Sequence, residues 1–176
     1  MQASELLQVV APVAAALGLE VEELGVRPAG RRKLVQVFLD GDGPDGRGPS
    51  LDQIAEATRA ISKTLDACPA AGNQPYTLEV STRGVGRPLT KPAHFRRNLG
   101  RLVELTMAVG ESHQLDAETA AELNWRIRAA DEQTLTLESE LPASARAKAA
   151  VGQVRTLAYS DIAKAVVQVE LNRTEE

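Results

Sequence analysis

The sequence predicts an α+β fold in two parts. An N-terminal α/β domain of order α-β-β-α-β, closing in a basic linker, occupies residues 1–90, and a small C-terminal β-barrel occupies 91–176. Three observations carry this. Two segments with apolar residues at helical spacing flank a pair of strand-like runs. A stretch dense in Gly and Pro follows Ser81, and five short strand-like runs separated by turn residues follow that stretch. At 176 residues, 43% of them hydrophobic, the chain has the material for two small cores.

The first helix is expected over Ser4 to Leu17, with Leu6, Val9, Val10, Val13 and Leu17 on one face and Gly18 as its stop. Pro12 removes a backbone donor inside it and predicts a kink or a split. Val21–Pro28 and Lys33–Asp40 read as strands of a hairpin joined through Ala29-Gly30-Arg31-Arg32. "DGDGPDGRGPS" (40–50) is a loop. Its Asp40 and Asp42 imitate the start of a calcium loop, but Pro44 and Leu51 stand where further oxygen ligands are required. Ser50 and Gln53 form a capping box for a second helix, whose stripe Leu51, Ile54, Thr58, Ile61 and Leu65 is expected to pack on the sheet. Tyr76, Leu78 and Val80 then alternate with polar residues as a half-buried strand, so both helices would cover one face of a mixed sheet. Pro92 opens a short helix through Phe95 to Leu99, ended by Gly100. The barrel strands are expected at 102–108, 125–130, 134–138, 154–158 and 165–170. Val109 to Asn124 reads as a long acidic loop, and Pro142 to Ala150 as an Ala-rich interruption with the composition of a helical turn. Tyr76, Phe95 and Trp125 are expected in cores.

Charge is segregated along the chain. "STRGVGRPLTKPAHFRRNLGR" (81–101) carries Arg83, Arg87, Lys91, Arg96, Arg97 and Arg101 and no acid. Taking these six from the 20 Lys and Arg leaves 14 against 24 Asp and Glu, a net of −10 elsewhere in a protein of formal charge −4. A positive patch on an acidic body attracts phosphates while the remainder suppresses indiscriminate binding. Gly84 and Gly86 would shape the turn and let the backbone approach a partner. A second cluster, Arg27, Arg31, Arg32 and Lys33, reads as a solvated hairpin tip that would extend the same surface. Five aromatic residues are too few for a base-stacking platform, so backbone contact is the expected mode.

Catalytic sets are missing. Cys68, His94 and His113 have no metal-ligand spacing, and there is neither a nucleophile elbow nor a phosphate loop. Gly84-Val85-Gly86 begins like a dinucleotide fingerprint, but Leu89 stands at the third glycine's place. No enzyme, cofactor, metal or small-molecule substrate is expected. One cysteine points to a reducing cytoplasm, and the start "MQASELLQVVAP" has no signal-peptide pattern. No apolar run reaches about 18 residues, so no membrane helix is expected.

"YTLEVSTRGVGRPLTKPAHFRRNLGRLVEL" (76–105) resembles the central signature of the bacterial ribosome maturation factor RimP family, through Leu78, Glu79, Val80, Ser81, Gly84, Arg87, Pro88, Leu89, Pro92 and Phe95. "LAYSDIAKAVV", "GLEVEEL" and "SLDQIAEATRAISKTLD" resemble it too, so the likeness covers nearly the whole chain. The resemblance implies that the C-terminal part is an Sm/SH3-like barrel. It implies a non-catalytic factor that binds the immature small ribosomal subunit and assists incorporation of the twelfth small-subunit ribosomal protein. Arg83 stands where the family has Pro, and Gly86 where it has Asp. The six cations are the expected contacts to ribosomal RNA, and Glu111, Asp116, Glu118 and Glu122 the expected contacts to the basic ribosomal protein. An Sm-like RNA-binding regulator without a ribosomal role is the alternative.

Overall fold

In the computed structural model of the chain, residues 2–72, 75–109, 115, 117–140 and 152–170 are described. The chain divides into two compact units, Met1–Gly84 and Val85–Glu176, each with its own core.

In the first unit, α1 (Ala3–Ala16) buries Leu6, Val10 and Ala14, spaced four apart along one face. The Glu5 carboxylate accepts the Gln2 N–H at 3.1 Å and closes the first turn. Pro12 neither ends nor divides the helix. It lies on the exposed side, and the carbonyl it cannot serve belongs to exposed Gln8, on the face open to solvent. β1 (Glu20–Ala29) and β2 (Arg32–Asp40) form the expected antiparallel hairpin, in one register from Ala29 opposite Arg32 to Glu23 opposite Phe38, and the register shifts between Val21 and Glu23. Gly30 takes φ +62° at the first place of the two-residue turn, a conformation that suits glycine.

α2 (Leu51–Asp66) starts in the capping box: Gln53 N donates to Ser50 Oγ at 3.2 Å, and Ser50 N donates to Gln53 Oε1 at 3.0 Å. Its buried line is Ala57, Ile61 and Leu65, with Ile54 packed beside it. Leu51, expected in this stripe, is 88% exposed. It sits about 80° around the helix from Ile61, on a first turn that reaches beyond the core. β3 (Tyr76–Thr82) runs parallel to β2, completing a sheet of order β1-β2-β3. Val35, Val37 and Leu39 of the central strand are buried beneath the two helices. The Tyr76 hydroxyl donates to Asp66 Oδ1 at 2.7 Å, and burial with this contact pushes its pKa up to about 12.

The second unit is a five-stranded antiparallel sheet of order β7-β6-β5-β4-β8, with β4 Leu102–Met107, β5 Asn124–Ala130, β6 Thr134–Glu140, β7 Val154–Ala158 and β8 Ile162–Val167. The last strand begins earlier than expected, directly after a 3-10 turn at Tyr159–Asp161. Alternate residues from the strands (Val103, Leu105, Ile127, Leu135, Leu137, Leu157) are buried, and Trp125, 1% exposed, is the largest among them. The short α3 (Pro92–Arg97) contributes Phe95, whose ring lies 5.1 Å from that of Tyr159.

The segment expected as a loop from Val109 to Asn124 instead contains α4 (Ala117–Glu122). Its Ala and Glu residues favour a helix, and Leu115, Ala120 and Leu123 anchor the segment in the core. The Trp125 indole donates to the Ala120 carbonyl at 3.1 Å. The insertion at Pro142 to Ala150 lies outside the described residues. Among the described residues no helix is long and apolar enough to cross a membrane.

A charged cluster ties sheet ends of the second unit together. Arg126 donates to both Glu140 oxygens, to Glu170 Oε1 at 3.0 Å and to the Gly100 carbonyl at 2.7 Å. The bond from Arg126 holds the Glu140 carboxyl below its ordinary range. A folded-state pKa below the unfolded one, about 4.3 for Glu, gives stability that is complete above the unfolded value and lost as pH falls through the folded value. Acid unfolding of the parent between about pH 5 and pH 3 should therefore be steeper than that of Glu140→Gln. Denaturant titrations of both proteins across that window check this; parallel pH curves would refute it.

Candidate nucleic-acid interface

The basic stretch leaves β3, turns, and enters α3, so its six cations are spread over three local settings. Gly84 has φ +69°, the left-handed conformation, and closes the first unit. Gly86 does not share it, and a Cβ there would meet no atom within 4 Å. Of the two residues expected to shape the turn, only Gly84 is required by its backbone. Gly84→Ala should cost about 1 kcal/mol, whereas Gly86→Ala should be neutral or slightly stabilising, as paired urea titrations would show.

Leu89 fixes the next part. Its N–H donates to the Ala165 carbonyl on β8 at 2.8 Å, and its side chain enters the C-terminal core. α3 begins with Pro92, and the buried His94 ring folds back over its start. There Nδ1 accepts the N–H of Thr90 at 3.1 Å and of Lys91 at 3.2 Å, which requires Nδ1 to be unprotonated. His94 therefore positions the turn that carries Lys91. Asn98 adds a bond to the His94 carbonyl at 2.8 Å.

The cations differ in what they can offer a partner. Arg83 is turned inward: it donates to Glu22 at 2.9 Å, with side chains 18% and 7% exposed. That ion pair, joining residues 61 apart in sequence, commits the Arg83 charge to the fold of the first unit. Arg96 pairs with Glu132 at 2.5 Å on the surface, both side chains well exposed, so solvent and salt screen the pair and an incoming phosphate can compete with Glu132. Lys91 and Arg101 are exposed, and Arg87 and Arg97 are half-buried. Among the described residues no carboxylate pairs with Arg101. Glu22, which neutralises Arg83, was invisible to sequence reasoning; one acid in the acid-rich run "EVEEL" carries no mark of a partner so far along the chain.

Of the four acids expected to face a ribosomal protein, Glu118 and Glu122 are exposed on α4. Glu111 and Asp116 lie outside the described residues.

The family model for the RimP N-terminal domain matches residues 9–86, ending just past the boundary of the first unit. The protein named ribosome maturation factor RimP from Kineococcus radiotolerans is 38% identical over 161 residues, covering 90% of this chain and 73% of that protein. The chain belongs to the RimP family. Both RimP matches take in the basic turn as far as Gly86 or run across it, and neither is to a catalytic family.

Proposed function

We propose that the protein is a non-catalytic ribosome maturation factor that acts in the cytoplasm. It binds the immature small ribosomal subunit and assists incorporation of the twelfth small-subunit ribosomal protein. Membership of the RimP family carries this reading, since the relative it matches is named for ribosome maturation. The charge pattern supports it: acid-free cations stand on an otherwise acidic chain, and Lys91, Arg96 and Arg101 are exposed. Guanidinium and ammonium groups recognise phosphate without chemical change in either partner. Arg87, Lys91, Arg96, Arg97 and Arg101 are the contacts to ribosomal RNA, and Arg83 holds the turn from within. Glu118 and Glu122, with Glu111 and Asp116, offer negative charge to a strongly basic ribosomal protein. The C-terminal sheet takes the Sm/SH3-like barrel form, a reading supported by the three-residue turn that links its two edge strands.

Sedimentation with immature subunits tests the proposal. Replacing Arg87, Lys91, Arg96, Arg97 and Arg101 by Gln should abolish comigration while circular dichroism stays unchanged. With the parent, the logarithm of affinity should fall against log salt with a slope of about −3 to −4 if four of the cations touch phosphates. A variant that pellets like the parent at every ionic strength would overturn the reading.

A further inference from the structure

The hairpin tip of the first unit, read from sequence as a solvated turn, has more shape than such a turn needs. A concavity of about 480 Å³ opens there, lined by Arg27, Arg31, Arg32 and Lys33 with Pro28 and, from the start of α1, Gln2. Among the described residues no carboxylate pairs with any of these four cations. By contrast Arg83, Arg96 and Arg128 each pair with one, and Arg126 with two. Four positive charges between positions 27 and 33 with no carboxylate paired to them repel one another, in a chain whose acids outnumber its bases by 24 to 20.

Strand geometry distributes the four charges over the ribbon. Lys33 lies opposite Pro28 and two residues from buried Val35, so it belongs to the helix-covered face, while Arg27, opposite Leu34, belongs to the other. Arg31 occupies the turn and Arg32 begins the return strand. The ribbon therefore presents cations on both faces and at its end. No aromatic residue lies between Val26 and Leu34, so base stacking has no platform there. Three of the four cations are guanidinium groups, whose fork matches phosphate oxygens.

We propose that this tip is a second nucleic-acid contact, separate in sequence from the basic linker, that docks on the phosphate backbone of double-stranded RNA. A narrow two-stranded ribbon charged on both faces suits the wide, shallow minor groove of A-form RNA, where phosphates border it on either side. The inference takes RNA as the partner class from the maturation reading above. It adds the element that grips duplex RNA and a reason for the arginines at the turn.

The test is an NMR titration of the full chain with a plain RNA duplex lacking loops, together with binding measured across a fourfold salt range. The backbone amides of Gly30 to Lys33 should shift. In the R27Q/R31Q/R32Q/K33Q variant the salt slope should be shallower by about 2.7 if three of the four contact phosphates, a factor of about 40 in affinity over that range. The linker variant with five Gln substitutions should still show the shifts at the tip. Unmoved tip amides with an unchanged slope would overturn the proposal. So would shifts produced by a poly-glutamate peptide and not by the duplex, which would assign the tip to an acidic protein. Loss of comigration between the parent and immature subunits would instead remove the maturation reading, leaving the duplex titration to decide the tip.

Discussion

Trp125→Ala should unfold the C-terminal unit and leave the N-terminal unit intact, at a cost of about 3–5 kcal/mol. Trp125 is 1% exposed and the largest side chain in that core, so its removal leaves a cavity that the sheet cannot close without shifting. It also takes away the indole N–H that serves the Ala120 carbonyl. A loss of this size consumes much of the stability of a small unit. The N-terminal core, built on Leu6, Val10, Val35, Val37, Ile61 and Leu65, shares no residue with it. Hydrogen exchange checks the outcome: amides of β4 to β8 should lose protection while those of α1, α2 and β2 keep theirs. Trp125→Phe, which keeps a ring and loses the donor, should cost less, about 1–3 kcal/mol. Equal loss of protection in both units would contradict the separation of the cores.

Arg83→Gln and Arg101→Gln should have opposite profiles, although sequence places both in the same cationic stretch. Removing Arg83 strips Glu22, whose side chain is only 7% exposed, of its guanidinium partner and should destabilise the N-terminal unit by about 2–3 kcal/mol. Removing exposed Arg101 should change stability by less than about 0.5 kcal/mol. Its effect should fall on binding, lowering the salt slope toward RNA by about 0.9. Urea denaturation and salt-dependent RNA binding of the two variants check this together. A stable Arg83→Gln that binds RNA weakly would mean that the ion pair with Glu22 contributes little and that Arg83 reaches the partner itself.

How far the sequence could be read depended on whether the relevant interaction is local. The capping box of Ser50 and Gln53, the hairpin closing around Gly30 and the alternation around Tyr76, Leu78 and Val80 involve residues within a few positions of one another; each is found, the hairpin with a connection of two residues instead of the four expected. Leu51 was misplaced because helical spacing fixes an angle but not how far the neighbouring core extends along the axis. α4 was missed because four acids in a row of small residues look like a solvated loop; Leu115, Ala120 and Leu123, the residues that could have exposed it, are too widely spaced to form a stripe. The short-range signals of the candidate site were likewise legible, as charge and glycine. Its long-range pairing was not.

The sequence by itself determined the order of elements apart from α4, most of the two apolar cores, the separation of charge and the family to which the chain belongs, because each follows from residue type and spacing along one strand of covalent bonds. Only the tertiary structure decided which cations remain available to a partner. Arg83 meets Glu22 from 61 positions away and Arg96 meets Glu132 from 36, while Arg27, Arg31, Arg32 and Lys33 gather around one hollow. A charge has the same sign wherever it is written in a sequence, but its use depends on the distance to its nearest opposite, and folding sets that distance.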